Sequence, residues 1–350
     1  MQEGSFGRRL QSFFRDNRDN PDLRVVRSNP SAEDAFALPE ALPSTREARV
    51  EEGAELAAIP VQCSSHDTSG FCFFLDGIQD SRLAFYWDGI PVVWGFAAAC
   101  IRKRRPDQYM GALEGFTHSR QALIFPYQLL SPSLFVLVGL DTVDSGQAVV
   151  GNEEERRQFE TELDNPAFIR QTARRRLDRL REDLEVSLYE KWLAEPPGDG
   201  WLLLDGGIPG RLATGPGASR VVGVIKSHQT RYFRGEDARL VMGLPLGCRT
   251  SVFKTFRKGT LQAVYSWYLR LRSADGQDPT FGLVRIEVPQ NPDILEMADT
   301  ISRWILAERS PVSLPDTRWD RMLYPIRDCE QYLRSISPSK YEREARQLTG

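Results

Sequence analysis

The sequence is poor in the residues that staple or metallate small folds: it has five cysteines and three histidines in 350 residues. Cys63, Cys72, Cys100, Cys248 and Cys329 stand apart with no CxxC pair. Such an odd, scattered set fits neither a disulfide framework nor a zinc knuckle, so the thiols are expected to be reduced. His66, His118 and His228 are too far apart for a histidine-rich centre, which leaves any metal to carboxylates. Long apolar runs are also missing. The longest, IPVVWGFAAACI from Ile90 to Ile101, falls short of the roughly 18 to 20 residues a membrane span needs, and basic IRKRR closes it. The opening MQEGSFGRRLQSFFRDNRDNP has no apolar core, so a secretory signal is not expected and the cytoplasm is the expected compartment. No Gly-x-Ser-x-Gly elbow surrounds His118, Ser119 and Arg120, and glycine-rich LDGGIPGRLATGPG lacks GxxxxGK[ST]. Serine-nucleophile chemistry and ATP hydrolysis by this chain alone are thereby set aside.

What is present describes an ordinary globular protein: 41% apolar, 10% aromatic and 27% charged residues, at a net charge of −3. Residues 1–60 read as an N-terminal helix followed by an irregular, proline- and alanine-rich arm. GFCFFLDG, SRLAFYWDG and IPVVWGFAAA then read as three strands, with Asp88-Gly89 as a hairpin turn. From Asn152 to Glu195 the chain is dense in Arg, Glu and Leu, and Leu177, Leu180, Leu184 and Leu188 are spaced by three and four. That predicts a long amphipathic helix, ended by Pro196-Pro197-Gly198. WLLLDGG and VVGVIKSH read as buried strands, TSVFKTF, LQAVYSWYLRLR and GLVRIEV as further strands. Helices are expected over Pro292–Glu308 and after Tyr324-Pro325. Antiparallel strands, then a helix, then buried strands that need crossovers imply an α/β fold. The order is ribonuclease-H-like: a mixed five-stranded sheet flanked by helices, with extra antiparallel strands.

Two segments share one design, an apolar run stopping at Asp-Gly: FFLDGIQD at Asp76 and LLLDGGIP at Asp205. If the strands are neighbours, the carboxylates converge at one end of the sheet and repel unless divalent cations lie between them. Such cations activate water and stabilise the leaving oxygen in phosphodiester cleavage. An isolated Asp-Gly is as readily a turn, which is how Asp88 reads. On the helix, Glu185 lies beside the leucine stripe, with Glu182 and Glu190 as alternatives and pairing with Arg179 or Arg181 as the competing role. From Arg220 to Arg272 eleven Lys or Arg face only Glu236 and Asp237, an excess of nine positive charges. Lys226, His228, Arg231, Arg234, Lys254, Arg257 and Lys258 are the expected DNA-contacting set. Arg249, Arg270 and Arg272 belong to the same basic stretch, and Tyr232 and Phe233 are interleaved for base stacking.

The pattern resembles the NurA nuclease family. It does so through Asp76-Gly77, the helix around Glu185, Asp205-Gly206, Gly223-Val224-Ile225-Lys226 and Tyr324-Pro325 before RDCEQYLRS. The resemblance spans roughly residues 70 to 335. Ile78 and Gly207 replace the family's usual serines, and the long spacing between the two Asp residues implies an insertion at 106–165 within a nuclease domain of 61–350. The resemblance implies a DNA nuclease with a two-metal Mn²⁺ or Mg²⁺ site. In it Asp76, Glu185 and Asp205 are ligands, Glu330 or Asp328 completes the shell, and Lys226 holds the phosphate. It further implies a homodimer working with a HerA-like hexameric ATPase in DNA end processing, repair or anti-phage defence. The alternative is a catalytically weak adaptor that binds DNA or the ATPase.

Overall fold

A computed structural model describes residues 44–63, 68–136, 140–146, 157, 161–163, 165–209, 218–256, 263–309 and 321–338. The expected N-terminal helix, most of the glycine-rich loop after Asp205, and Arg257 and Lys258 lie outside the described residues. The chain enters with three short strands, β1 (Ser44–Thr45), β2 (Ala48–Val50) and β3 (Ala58–Pro60). Three long strands follow, β4 (Phe71–Trp87), β5 (Ile90–Arg104) and β6 (Met110–Phe125), then short β7 (Thr142–Asp144). Helix α1 (Pro166–Ala194) leads to β8 (Trp201–Asp205) and β9 (Val221–Ile225). Next come β10 (Thr230–Arg231), α2 (Gly235–Met242), β11 (Cys248–Thr250), β12 (Phe253–Phe256), β13 (Ala263–Arg270) and β14 (Leu283–Pro289). Helices α3 (Pro292–Glu296), α4 (Ala298–Glu308) and α5 (Tyr324–Ile336) follow. The chain is thus a mixed α/β protein with parallel and antiparallel strands flanked by helices. It divides into two compact units, Met1–Asp67 with Ile225–Met322, and Thr68–Val224 with Leu323–Gly350.

In the second unit the strand order is β9-β8-β4-β5-β6-β7. β4, β5 and β6 form an antiparallel meander, whereas β8 runs parallel to β4 and β9 parallel to β8. The turn between β4 and β5 is the expected one. Asp88 (φ 49°) and Gly89 (φ 76°) both take the left-handed conformation that a two-residue hairpin requires, and Trp87 pairs with Ile90. The expectation of separate strands before and after Asp76-Gly77 is corrected: both belong to the single 17-residue β4. Antiparallel pairing to β5, from Phe73↔Lys103 through Asp76↔Cys100 to Leu83↔Val93 and, past a register shift, on to Trp87↔Ile90, carries the strand through the glycine.

Helix α1 covers one face of this sheet. Asn165 caps it by accepting the Ala167 N–H at 3.0 Å, and Pro166 occupies the first turn, where a missing N–H is harmless. The α1 leucines at 177, 180 and 188 are buried, with Trp192 edge-on to Phe73 at 5.9 Å between ring centres. Leu75, Ala99, Ile101, Leu202 and Leu204 meet Leu188 and Trp192 in one cluster. Residues of the opposite parity, Phe74 and Cys100, meet α5, whose Cys329 donates to the Phe74 carbonyl at 3.3 Å.

The first unit is built on an antiparallel sheet ordered β2-β12-β13-β14, with β11 bridging β13 and β3 and a separate parallel pair β1–β10. Every residue of β13 is buried. The helix expected over Pro292–Glu308 is two helices, because the chain turns at Met297 (φ −88°, ψ 0°) between α3 and α4.

Candidate functional site

Parallel pairing of β4 and β8 sets Phe74 beside Leu203 and Leu75 beside Leu204. The next residue on each strand is Asp76 and Asp205, so the two carboxylates stand at equivalent steps on neighbouring strands about 4.8 Å apart. β8 ends at Asp205, whereas β4 continues. Asp76 is 8% exposed, and one of its oxygens accepts the Gly77 N–H at 2.8 Å. Asp205 is half-buried. Behind it, Gly206 takes φ +114° and donates to the Val224 carbonyl at 2.9 Å. A side chain on Gly223 would meet the Gly206 carbonyl at 2.6 Å and the Ile208 nitrogen at 3.1 Å, so glycine there lets the turn lie directly on β9.

Glu185 is brought in by α1. Its carboxylate occupies the space where a side chain on Gly77 would be, beside Asp76, and only 16% of the side chain is exposed. Burial pushes the Glu185 carboxyl up to about 7; Arg181, paired with it one helical turn away, opposes that shift, and the charges of Asp205 and Glu182 reinforce it. Burial also opposes charge on Arg181, but Glu185, Glu182 and Asp76 more than offset it. Gln79, two residues beyond Gly77, bonds both Asp178 and Arg181 and ties helix to strand. Arg181 is therefore flanked by the charges of Glu185 and Asp76, and Glu185 also meets the charge of Asp205. Among the described residues no group of three or more His, Cys, Asp or Glu side chains is arranged to hold a metal ion. Sequence reasoning named Arg181 only as a competing ion-pair partner of the helix glutamates and Gly77 only as half of an Asp-Gly pair, and gave neither a place in the site. Their signal is the i, i+4 spacing of Arg181 to Glu185 and the glycine after Asp76.

The acidic residues on α5 stand otherwise. Glu330 is held by Arg334 one turn along, at 2.6 Å, and Asp328 by Arg102 of β5 at 2.7 Å. Arg102 also lies over the Tyr332 ring, 4.6 Å from its centre. The helix turns Ile326, Cys329 and Leu333 into the core, so a thiol rather than a carboxylate packs against β4. Burial pushes that thiol well above its ordinary value, with Cys100 and the charge of Asp76 adding to the shift.

The basic stretch from Arg220 to Arg272 lies largely in the first unit, and much of its charge is internal. Arg249 is 3% exposed and paired with Glu52 and Asp299. Arg270 is fully buried and donates to the carbonyls of Met242, Leu244, Pro279 and Phe281. Arg272 donates to the Arg309 carbonyl at 2.6 Å. His228 is no cation at neutral pH. Burial pushes its imidazole down to about 4, opposed by its bond to the Leu283 carbonyl at 3.0 Å and helped by Arg321, Arg285 and Arg270. Lys226 follows β9 and is half-buried, with Arg321 donating to its carbonyl at 3.0 Å. Lys254, on β12, is half-buried, while Arg231 and Arg234 are exposed. Tyr232 is buried against Phe253 rather than presented for stacking.

No family model matches the chain, and no curated protein matches it either.

Proposed function

We propose that the chain is a metal-dependent DNA nuclease of the NurA kind, with Asp76, Glu185 and Asp205 as the metal-holding group. One observation carries this reading: two aspartates at equivalent steps of adjacent parallel strands, with a helix glutamate brought over Gly77 beside them. The strand order of the second unit supports a ribonuclease-H-like sheet. Numbered by sequence within the five strands it runs third, second, first, fourth, fifth, and only the second is antiparallel to the rest of the first–fourth–fifth set.

The donor set fits Mn²⁺ or Mg²⁺, which take oxygen ligands. Bound there, such ions supply an activated water and charge stabilisation at the leaving oxygen. Asp76 and Asp205 would hold the ions, and Glu185 would join them once its proton is lost. Arg181 balances Glu185 when no cation does, and so competes with a cation for the same carboxylate. Glu330 remains the proposed fourth acidic ligand and would have to leave Arg334 to serve. Lys226, Arg231, Arg234 and Lys254 are proposed DNA contacts, with Lys226 on the scissile phosphate; Arg257 and Lys258 stay part of the same proposal. His228, being neutral, would contribute a hydrogen bond rather than charge. In this reading residues 61–350 form the nuclease domain; because β6 supplies the third strand, the insertion expected over 106–165 shrinks to the part after Phe125. A homodimer acting in the cytoplasm with a HerA-like hexameric ATPase follows from the same resemblance, as does a role in end processing, repair or anti-phage defence.

The test is cleavage of linear single- and double-stranded DNA with Mn²⁺, with and without a HerA-like ATPase. Asp76→Ala and Asp205→Ala should each lose more than the roughly 10- to 100-fold typical of outer-shell changes at metal sites. Wild-type protein that leaves DNA intact under both conditions would leave the adaptor reading in place.

A further inference from the structure

We propose that a cavity walled by Arg170 and Arg174 in the second unit binds a phosphate of the DNA backbone and sets how a strand approaches Asp76, Glu185 and Asp205. The proposal rests on the nuclease reading for its substrate, but its chemistry is separate from the carboxylates. The cavity has a volume of about 330 Å³ and lies between the far part of β4 and the first turns of α1, with Ser81 and Gln171 also on its wall. Arg170 and Arg174 are exposed and four residues apart on α1, where like charges repel. Neither forms an ion pair with another described residue. Among the described residues no carboxylate lines the cavity; two neighbouring guanidiniums there call for an anion, and guanidinium forks match phosphate oxygens.

The cavity also lies on a line with the carboxylates. Along the same helix–strand seam Glu185 sits at Gly77, Arg181 and Asp178 at Gln79, and Arg174 and Arg170 at Ser81 to Leu83. Counted along the helix from Glu185, Arg174 and Arg170 are roughly 17 to 22 Å away. Counted along β4 from Gly77, the cavity is roughly 13 to 20 Å away. At about 3.4 Å per step along one strand of a duplex, this separates the cavity from the carboxylates by about five phosphates.

The test reads binding, not cleavage: affinity for a short duplex DNA in EDTA, followed across a range of salt concentrations. Each phosphate contact contributes about 0.9 to the slope of log affinity against log salt. Arg170→Gln with Arg174→Gln should therefore flatten the slope by about 0.9 and weaken binding about 8-fold at 0.1 M salt relative to its effect at 1 M. Arg179→Gln, an exposed change on the same helix outside the cavity, should leave the slope within experimental error of wild type. Arg170→Lys with Arg174→Lys, which keeps the charge, should retain most of it. A double Gln variant with the slope of Arg179→Gln, or a double Lys variant as flat as the double Gln one, overturns the proposal. Because no metal is present, failure of the nuclease reading would show in the cleavage assay and not here.

Discussion

The two units handle buried charge in opposite ways. In the first, each buried arginine is supplied with acceptors: Arg249 with Glu52 and Asp299, Arg285 with Glu287, and Arg270 with four backbone carbonyls. In the second, the charges of Asp76 and Glu185 both fall on Arg181, and the charge of Asp205 falls on Glu185. Completely satisfied buried charge is architecture, since removing one partner strands the other. Carboxylates in excess of their cations hold an electrostatic cost that a divalent ion would relieve. The same contrast explains why a count of positive charges along the chain misplaces the basic surface. Much of the excess between Arg220 and Arg272 is consumed inside the first unit, while Arg170 and Arg174, lying in what reads as a salt-bridged helix, stay exposed.

The sharpest way to break the comparison is at Arg249. Replacing it with Met should leave Glu52 and Asp299 without their partner and cost about 3 to 5 kcal/mol, read as a lowered midpoint in urea unfolding. A loss below about 1 kcal/mol would mean that the first unit's pairs are no more structural than surface pairs.

A finer distinction comes from pH, where the units should pull in opposite directions. Glu185 rises from 4.5 to about 7 on folding, so between those values the folded state holds a proton that the unfolded state has released. Its contribution therefore falls as pH rises through that window, by on the order of 2 to 3 kcal/mol. His228 drops from 6.5 to about 4, so the unfolded state binds the proton that the folded state refuses. That contribution rises with pH between about 4 and 6.5, by a similar order. In the wild type the two slopes oppose each other where they overlap. Glu185→Gln should expose a stability that climbs with pH, and His228→Gln one that falls, in melting temperatures taken from about pH 4.5 to 7.5. Matching profiles for the two variants would remove the opposition.

The smallest effect on folding is expected at Gly77→Ala. Its methyl would overlap the Glu185 carboxylate, the movable end of a long side chain, so the protein should lose less than about 1 kcal/mol. Displaced Glu185 should nonetheless weaken Mn²⁺ binding roughly 10- to 100-fold in isothermal titration, and unchanged affinity would remove Glu185 from the proposed ligand set.

Much of the site was legible because local patterns carried it. Asp-Gly at 76 and 205 marked two carboxylates at matching strand positions, Asp88-Gly89 marked the hairpin, and the leucine spacing marked the face of α1 beside which Glu185 lies. What stayed hidden depends on tertiary pairing. Apolar runs and turn residues cannot show that β4 passes through Gly77, because its pairing to β5 decides that. Strand β6 was not anticipated: Gly111, Gly115 and a polar His118-Ser119-Arg120 interrupt its alternation, and its pairing to β5 holds it instead. The interior fate of Arg249 and Arg270 depends on partners up to 197 residues away in sequence, which composition along the chain does not carry.

The turn after Asp205 has one more consequence. Gly206 is bonded to Val224 and lies flush against Gly223, so β9 supports the turn behind the aspartate. A side chain at Gly223 would push that turn off the strand, which makes the placing of a carboxylate on β8 depend on a glycine of its neighbour.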